Sequence, residues 1–215
     1  LAANKAYNSY FCTMSEKTMF KLQLPTDPTW VKNVVESNIE EILTDHAYCE
    51  QKAATNAITL IIQNPNISEL VQEMAELAKE EMDHFKRVHD LILKRGFTLG
   101  LERKDNYVNE LIKFLKRGGG EAKRTESMVD RLLLAAMIEA RSCERFKVLS
   151  EYVQDQELSE FYHELMISEA SHYTMFIGLA RKYGIGIDVE KRWQEWLDYE
   201  GNVIKSYGKA ETIHG

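Results

Sequence analysis

The sequence predicts an all-α protein: four long helices packed as a bundle, a long crossover between the second and third, and a short C-terminal helix. Three observations carry that expectation. Only three prolines interrupt a chain rich in Ala, Leu, Glu and Lys, all favourable in helices except the prolines themselves. Apolar residues recur every three or four positions through four long stretches, and no stretch alternates as a half-buried strand does. At 215 residues the chain suits one domain with a sizeable core rather than two.

The elements follow in order. The first long helix is expected from about Asp27 to about Gln63, with Asp27 as cap and Pro28 at the first helical position. Asn64-Pro65-Asn66 breaks it. The second is expected from about Ile67 to Arg95, with Asn66 and Glu69 spaced as a capping box and Gly96 as its stop. A connection over 97–122 follows, holding a shorter helix near Asn106–Arg117 and then Gly118-Gly119-Gly120. The third long helix covers about Arg124–Val153, and the fourth about Gln156–Tyr183, ended by Gly184. A short amphipathic helix near Val189–Tyr199 precedes a polar tail. The domain reading is an N-terminal arm over 1–26, a helical bundle over 27–200 and a tail over 201–215. Two short turns and one long crossover joining four long helices describe a four-helix bundle of the ferritin-like type.

Composition excludes several classes. A net charge of −7 argues against indiscriminate coating of nucleic acid, while leaving room for a local basic patch. No apolar run approaches the roughly 20 residues of a membrane span, and no signal-peptide pattern opens the chain. Cys12, Cys49 and Cys143 are odd in number and lack metal-type spacing, so they read as free thiols of a reducing compartment. The expectation is a cytoplasmic protein with no membrane partner. Met14-Ser-Glu-Lys resembles a natural start, with the residues before it upstream sequence; the alternative is a genuine flexible arm.

The chemistry sits in a motif that occurs twice. Glu81-Met-Asp-His84 lies on the second helix and Glu169-Ala-Ser-His172 on the fourth. Residues three apart project from one helical face, so each pair can aim a carboxylate and an imidazole at one ion. The stripe Val71, Met74, Leu77, Ala78, Glu81, His84, Phe85, Val88, Ile92 is apolar except at the pair, and so is Leu165, Met166, Glu169, His172, Tyr173, Phe176, Ala180. Ionisable groups on a core-facing stripe are costly unless paired or bound to metal. Glu50 and Glu139 interrupt the stripes of the first and third helices in the same way.

In an antiparallel hairpin, residues equally far from the turn sit at one height, since both helices rise about 1.5 Å per residue. Positions 50 and 81 are equidistant from Pro65-Asn66, and 139 and 169 from Gln154, both expected turns. Each hairpin thus sets a lone glutamate level with a Glu-x-x-His. Two such hairpins supply four carboxylates and two imidazoles, the donor set of di-iron and di-manganese bundles. The expected metal ligands are therefore Glu50, Glu81, His84, Glu139, Glu169 and His172, which form the catalytic centre. A third pair, Glu160-Phe-Tyr-His163, precedes Glu169 by nine residues and faces the opposite way. His46, one turn before Glu50, reads as an outer partner of the ligands or a satisfied core histidine. Glu144 falls on another face. Mixed carboxylate and imidazole donors suit iron or manganese more than zinc or magnesium. Iron oxidation and storage, peroxide reduction, radical generation, desaturation and hydroxylation all remain open to such a site; a radical enzyme needs a nearby tyrosine, for which Tyr48 and Tyr173 are the positions.

The segments DHAYCEQKAA (45–54), LAKEEMDHFKRV (77–88), LLLAAMIEARSCERF (132–146), ISEASHYTMF (167–176) and LGLERKDNYVNELIKFL in the crossover resemble one branch of this superfamily, the MiaE-type tRNA hydroxylases. The resemblance spans roughly residues 28–183. It implies a centre of two iron ions on the same six residues and dioxygen as co-substrate. The implied reaction hydroxylates a terminal methyl of the isopentenyl group of 2-methylthio-N6-isopentenyladenosine, at position 37 beside the anticodon of certain tRNAs. Lacking a flavin or nicotinamide motif, the chain would draw electrons from a separate electron-donor protein or reductase. The alternatives are a ferroxidase or iron-storage protein and a radical- or desaturase-type oxidase.

A tRNA substrate calls for cations. Arg103, Lys104, Lys113, Lys116, Arg117, Lys123 and Arg124 face only Asp105, Glu110 and Glu121 in their stretch, so this crossover is the expected phosphate-contacting element. The target base must leave the anticodon stack to reach a buried centre. Its apolar group is expected among the stripes around Phe85, Phe146 and Leu43.

Overall fold

The computed structural model describes residues 18–116 and 121–207. Six α-helices form among these described residues: α1 Ile39–Gln63, α2 Ser68–Lys94, α3 Asn106–Lys113, α4 Glu121–Tyr152, α5 Gln156–Tyr183 and α6 Val189–Tyr207. Among the described residues there is no strand. Helices α1 and α2 form one antiparallel hairpin and α4 and α5 the other; α3 sits in the crossover, and α6 packs across α3 and α4. The expected four-helix bundle is the one observed. Positions Leu1–Lys17, including Cys12 and Met14, lie outside the described residues, as do Arg117 and Tyr207's successors.

The first helix starts later than the sequence pattern predicts. A short turn capped by Asp27, whose carboxylate accepts from the Thr29 N–H at 2.9 Å, passes into a π-helical turn over Val31–Val35. The chain then breaks at Asn38 (φ −136°, ψ 40°) before α1 begins. Trp30, Val31 and Val35 are buried in the core, so this turn is held by packing. At the start of α2 the expected capping box is not formed. Ile67 is the cap residue and makes no side-chain cap bond; Glu69 instead accepts from Lys182 and Tyr183 at the end of α5. Gly96 ends α2 with φ +75°, a conformation that favours glycine. Asp105 and Asp155 cap α3 and α5 through the N–H groups of Val108 and Leu158.

Helix α6 runs on past the expected Tyr199 to Tyr207, with Gly201 and Val203 buried. A Cβ on Gly201 would stand 2.4 Å from the Gln23 side chain, so the N-terminal segment lies directly against this helix. A buried ion network completes the joint. Arg141 on α4 donates to Glu200 on α6 at 2.5 Å and to the Leu24 carbonyl at 3.0 Å, while Glu144 accepts from Thr26 N–H and Oγ at 2.7 and 2.6 Å. That is the work Glu144 does on its separate face.

The apolar core is in two bodies. One gathers Leu60, Leu70, Met74, Leu132, Phe176 and Trp196 towards the end where α1 turns into α2. The other gathers Leu43, Val88, Phe146, Leu149, Leu158 and Tyr162 towards the end where α4 turns into α5. On α1, α2 and α5 the stretch between the two bodies carries Glu50, Glu81 with His84, and Glu169 with His172, and on α4 Glu139 lies where they meet. These six ionisable side chains thus lie at one level of the bundle, between the two apolar bodies.

Candidate metal centre

All six of these side chains are buried: Glu50, Glu81, His84, Glu139, Glu169 and His172. Their atoms fall into two overlapping groups that could each hold a metal ion. Glu50, Glu81, His84 and Glu169 make one; Glu81, Glu139, Glu169 and His172 make the other. Within each, one donor atom per residue lies within 4.8 Å of the rest. Glu81 and Glu169 belong to both groups, while Glu50 with His84 and Glu139 with His172 are terminal, each belonging to one group alone. The mirrored spacing about the two turns produces this two-fold arrangement.

Both imidazoles present Nδ1 inward. His84 Nδ1 lies 3.3 Å from Glu81 Oε2 and 3.7 Å from Glu50 Oε2; His172 Nδ1 lies 3.1 Å from Glu81 Oε1 and 3.6 Å from Glu169 Oε2. Glu81 Oε1 and His172 Nδ1 are fully buried and, despite their closeness, are not aligned to hydrogen-bond each other. Buried polar atoms are nearly always satisfied. Two such unsatisfied atoms inside a close group of carboxylate oxygens and imidazole nitrogens fit a site for a metal ion.

The electrostatics separate the acids. Burial, helped by the charges of neighbouring carboxylates, pushes Glu50 and Glu139 well above the ordinary carboxylate value. Burial acts on Glu81 too, but the imidazoles of His172 and His84 outweigh it and hold that carboxyl at about 2. His84 is raised to about 10 because Glu50 and Glu81 outweigh its burial, and His172 is raised as well by Glu169, Glu80 and Glu81. A cation entering this cluster would have to displace protons.

Around the cluster, His46 is wholly buried, its Nε2 2.6 Å from Glu50 Oε1, and its ring is packed by Phe146, Phe161 and Tyr162. It touches a member of the cluster without belonging to either group. Glu80 is a partner that sequence reasoning missed. Its carboxylate sits 3.4 Å from His172 Nε2 and 4.0 Å from His84 Nε2, and accepts from Ser168 Oγ at 2.6 Å. Adjacent charged residues on an acidic helix hid it; the available signal was that Glu80 and Ser168 each precede a member of the cluster. Glu160 and His163 are exposed, as expected of the third pair. Tyr48 donates to the Gly100 carbonyl at 3.0 Å, and Tyr173 packs at a tilt against Phe20 with ring centroids 4.2 Å apart.

Of the expected basic contacts, Arg103, Lys104 and Lys116 are brought together beside a cavity between α1, the crossover and α4. Lys113 instead pairs with Glu110, and Arg124 is exposed on α4. Arg117 and the side chain of Lys123 lie outside the described residues. Lys52 and Arg131 line the same cavity and were missed because they lie outside the basic stretch. Of the three residues expected around the apolar group, Leu43 and Phe146 are buried in the core and Phe85 is half-buried, and none of them lines this cavity.

Residues 13–215 match the family described as tRNA-(MS2IO6A)-hydroxylase (MiaE). The chain is 36% identical to the tRNA 2-(methylsulfanyl)-N(6)-isopentenyladenosine(37) hydroxylase of Pseudomonas putida, over 90% of this chain and 91% of that protein. It is 26% identical to the Salmonella typhimurium protein of the same name, over 90% of this chain and 87% of the other. Among solved structures, Protein 43 with aldehyde deformylating oxygenase activity from Synechococcus matches with a TM-score of 0.80 at 29% identity, covering 90% of this chain and 95% of that one. The chain belongs to the MiaE family.

Proposed function

From that membership we propose that the protein is a dioxygen-dependent monooxygenase, hydroxylating the isopentenyl group of 2-methylthio-N6-isopentenyladenosine at position 37 of tRNA. The observation that carries this reading is the double group of buried donors at one level between the two apolar bodies. In this reading Glu50, Glu81, His84, Glu139, Glu169 and His172 hold two iron ions, and His46 steadies Glu50. The donor set fits: hard carboxylates that could bridge, one imidazole in each group, and two buried donor atoms left without a hydrogen-bond partner. When bound, the iron pair supplies the reductive activation of dioxygen that inserts one oxygen atom into a carbon–hydrogen bond.

The chain's own residues do the rest. Glu81 and Glu169 carry the charge that balances two cations, and burial by both core bodies excludes water from the reacting group. Glu80, 3.4 Å from the outer nitrogen of His172, favours the ring orientation in which Nδ1 faces inward. Electrons come from a separate donor protein, and a tRNA substrate accords with a cytoplasmic setting; among the described residues no helix is long and apolar enough to cross a membrane.

The test is to incubate reduced, iron-loaded protein with dioxygen and prenylated tRNA, then digest the tRNA and weigh its nucleosides. The expected product is the modified adenosine with one added oxygen, absent without iron and absent in Glu81→Ala, which should stay helical while losing metal. No added oxygen, with about two irons per chain and a competent reductant present, refutes the tRNA reading.

A further inference from the structure

The cavity between α1, α3 and α4 measures about 650 Å3, inside the roughly 300–1,000 Å3 range of small-molecule sites. Its lining has two characters. Ala53, Val108, Ile112, Leu134 and Ile138 give it apolar surface. Lys52, Arg103, Lys104, Lys116 and Arg131 give it five cations, against the two acids Glu102 and Asp105. Local contacts use up part of that charge. Glu102 pairs with Lys52 at 3.1 Å, Arg103 pairs with Glu41, and Asp105 caps α3. Lys104, Lys116 and Arg131 are in no ion pair with another described side chain. In a protein of net charge −7, three uncommitted cations around one apolar hollow select an anionic ligand with an apolar portion.

Two further observations tie the cavity to the cluster and to a built rim. Cys49 immediately precedes Glu50, Ala53 follows it by three on the same helical face, and Ile138 immediately precedes Glu139, so the lining adjoins both terminal carboxylates along the chain. The rim is clamped from behind. Asp130 accepts from the Lys116 backbone N–H at 2.7 Å, and Arg192, paired with Asp130 at 2.7 Å, donates to the Phe114 carbonyl at 3.0 Å. This buried pair holds the end of the crossover where Leu115 and Lys116 meet the cavity.

We propose that this cleft receives the prenylated adenosine of an RNA loop, with its apolar lining around the isopentenyl group and Lys104, Lys116 and Arg131 on the flanking phosphates. The assignment rests on the functional reading above and adds where on the molecule the substrate enters. Lys52 and Arg103, already paired, line the entrance without supplying free charge.

Binding separates this assignment from the activity. Two synthetic anticodon stem-loops, identical except for prenylated or plain adenosine at position 37, are titrated by fluorescence anisotropy against iron-loaded protein under argon, where no turnover occurs. The wild-type chain should prefer the prenylated loop by about tenfold or more, from burial of its five-carbon group. Val108→Trp and Asn109→Trp, the second at an exposed lining position that does not disturb the core, should each cut the preference to about threefold or less. The triple variant Lys104→Glu, Lys116→Glu, Arg131→Glu should weaken both loops alike and flatten the salt dependence by about 2 in log–log slope, for three phosphates at roughly 0.7 each. Thermal melts confirm that each variant is folded. Full preference in both tryptophan variants, or an unchanged slope in the triple variant, overturns the cleft while leaving the function standing. A wild-type chain indifferent to the prenyl group refutes the functional reading, and the cleft's occupant falls with it.

Discussion

Glu139→Gln should make the metal-free protein more stable at pH 7, and Glu81→Gln should make it less stable, although both remove one buried carboxylate. Burial and the charge of Glu169 raise the Glu139 carboxyl, so its charged form is disfavoured in the folded state relative to the unfolded chain. An acid whose folded pKa is raised destabilises the fold increasingly as pH climbs above its ordinary 4.5. The near-isosteric amide removes that penalty, which for an uncompensated buried polar group is about 1–3 kcal/mol. At about 2–4 °C per kcal/mol for a chain of this size, the metal-free melting temperature should rise by about 2–12 °C at pH 7. The gain should shrink as pH falls towards 4.5.

Glu81 carries the opposite sign. Its folded pKa is depressed to about 2 from 4.5, so it adds stability above 4.5 that is lost as pH falls towards 2. That depression corresponds to roughly 3 kcal/mol. Glu81→Gln should therefore melt roughly 6–12 °C lower at pH 7. The assay is calorimetry on chelator-treated protein across pH, beside cobalt titration of each variant, in which both should lose metal. A Glu139→Gln protein that melts well below wild type at pH 7 refutes the reasoning: the six side chains would then form a stabilising ion-pair cluster and not a site whose electrostatic cost a metal relieves.

Three further outcomes follow from the surroundings. Glu80→Ala should keep the fold and lower metal affinity about 10–100-fold, read by chelator competition, because both outer imidazole nitrogens lose their carboxylate. Arg192→Met leaves Asp130 buried without its cation; the loss of about 3–5 kcal/mol should appear as a melting temperature about 10 °C lower and earlier proteolysis near residue 116. Arg141→Met should release the N-terminal segment and α6 together, since one guanidinium holds Glu200 and the Leu24 carbonyl; cleavage near Leu24 before any loss of helicity by circular dichroism is the expected sign.

The sequence was most readable where helical periodicity and hairpin symmetry constrain each other. A polar residue on an apolar stripe says little alone, but positions 50 and 81, and 139 and 169, must meet if their turns lie midway between them. Readability failed where distant parts of the chain decide. The break at Asn38 has neither proline nor glycine to mark it, and Trp30, Val31 and Val35 continue an apolar pattern across it. The capping box at Asn66 was locally sound, yet Glu69 finds Lys182 and Tyr183 on α5. The basic stretch was visible as composition, but Lys52 and Arg131 join it only through packing of α1 and α4 against the crossover.

That contrast bears on how the fold divides its labour. The donors come from all four long helices at one level, between two apolar bodies, so their positions depend on the bundle as a whole. The same bundle shape occurs in a protein with aldehyde deformylating oxygenase activity, so the shape alone does not select a substrate. In this chain the cavity takes one wall from the crossover, whose single short helix is placed by its contacts with α4 and α6. If selectivity resides there, changing the crossover should alter which substrate reaches the centre while metal binding persists. Val108→Trp provides that separation. Cobalt uptake equal to wild type together with a lost preference for the prenylated loop would assign selectivity to the crossover. Loss of both together would mean that the crossover also supports the donors, and that the two roles cannot be changed independently.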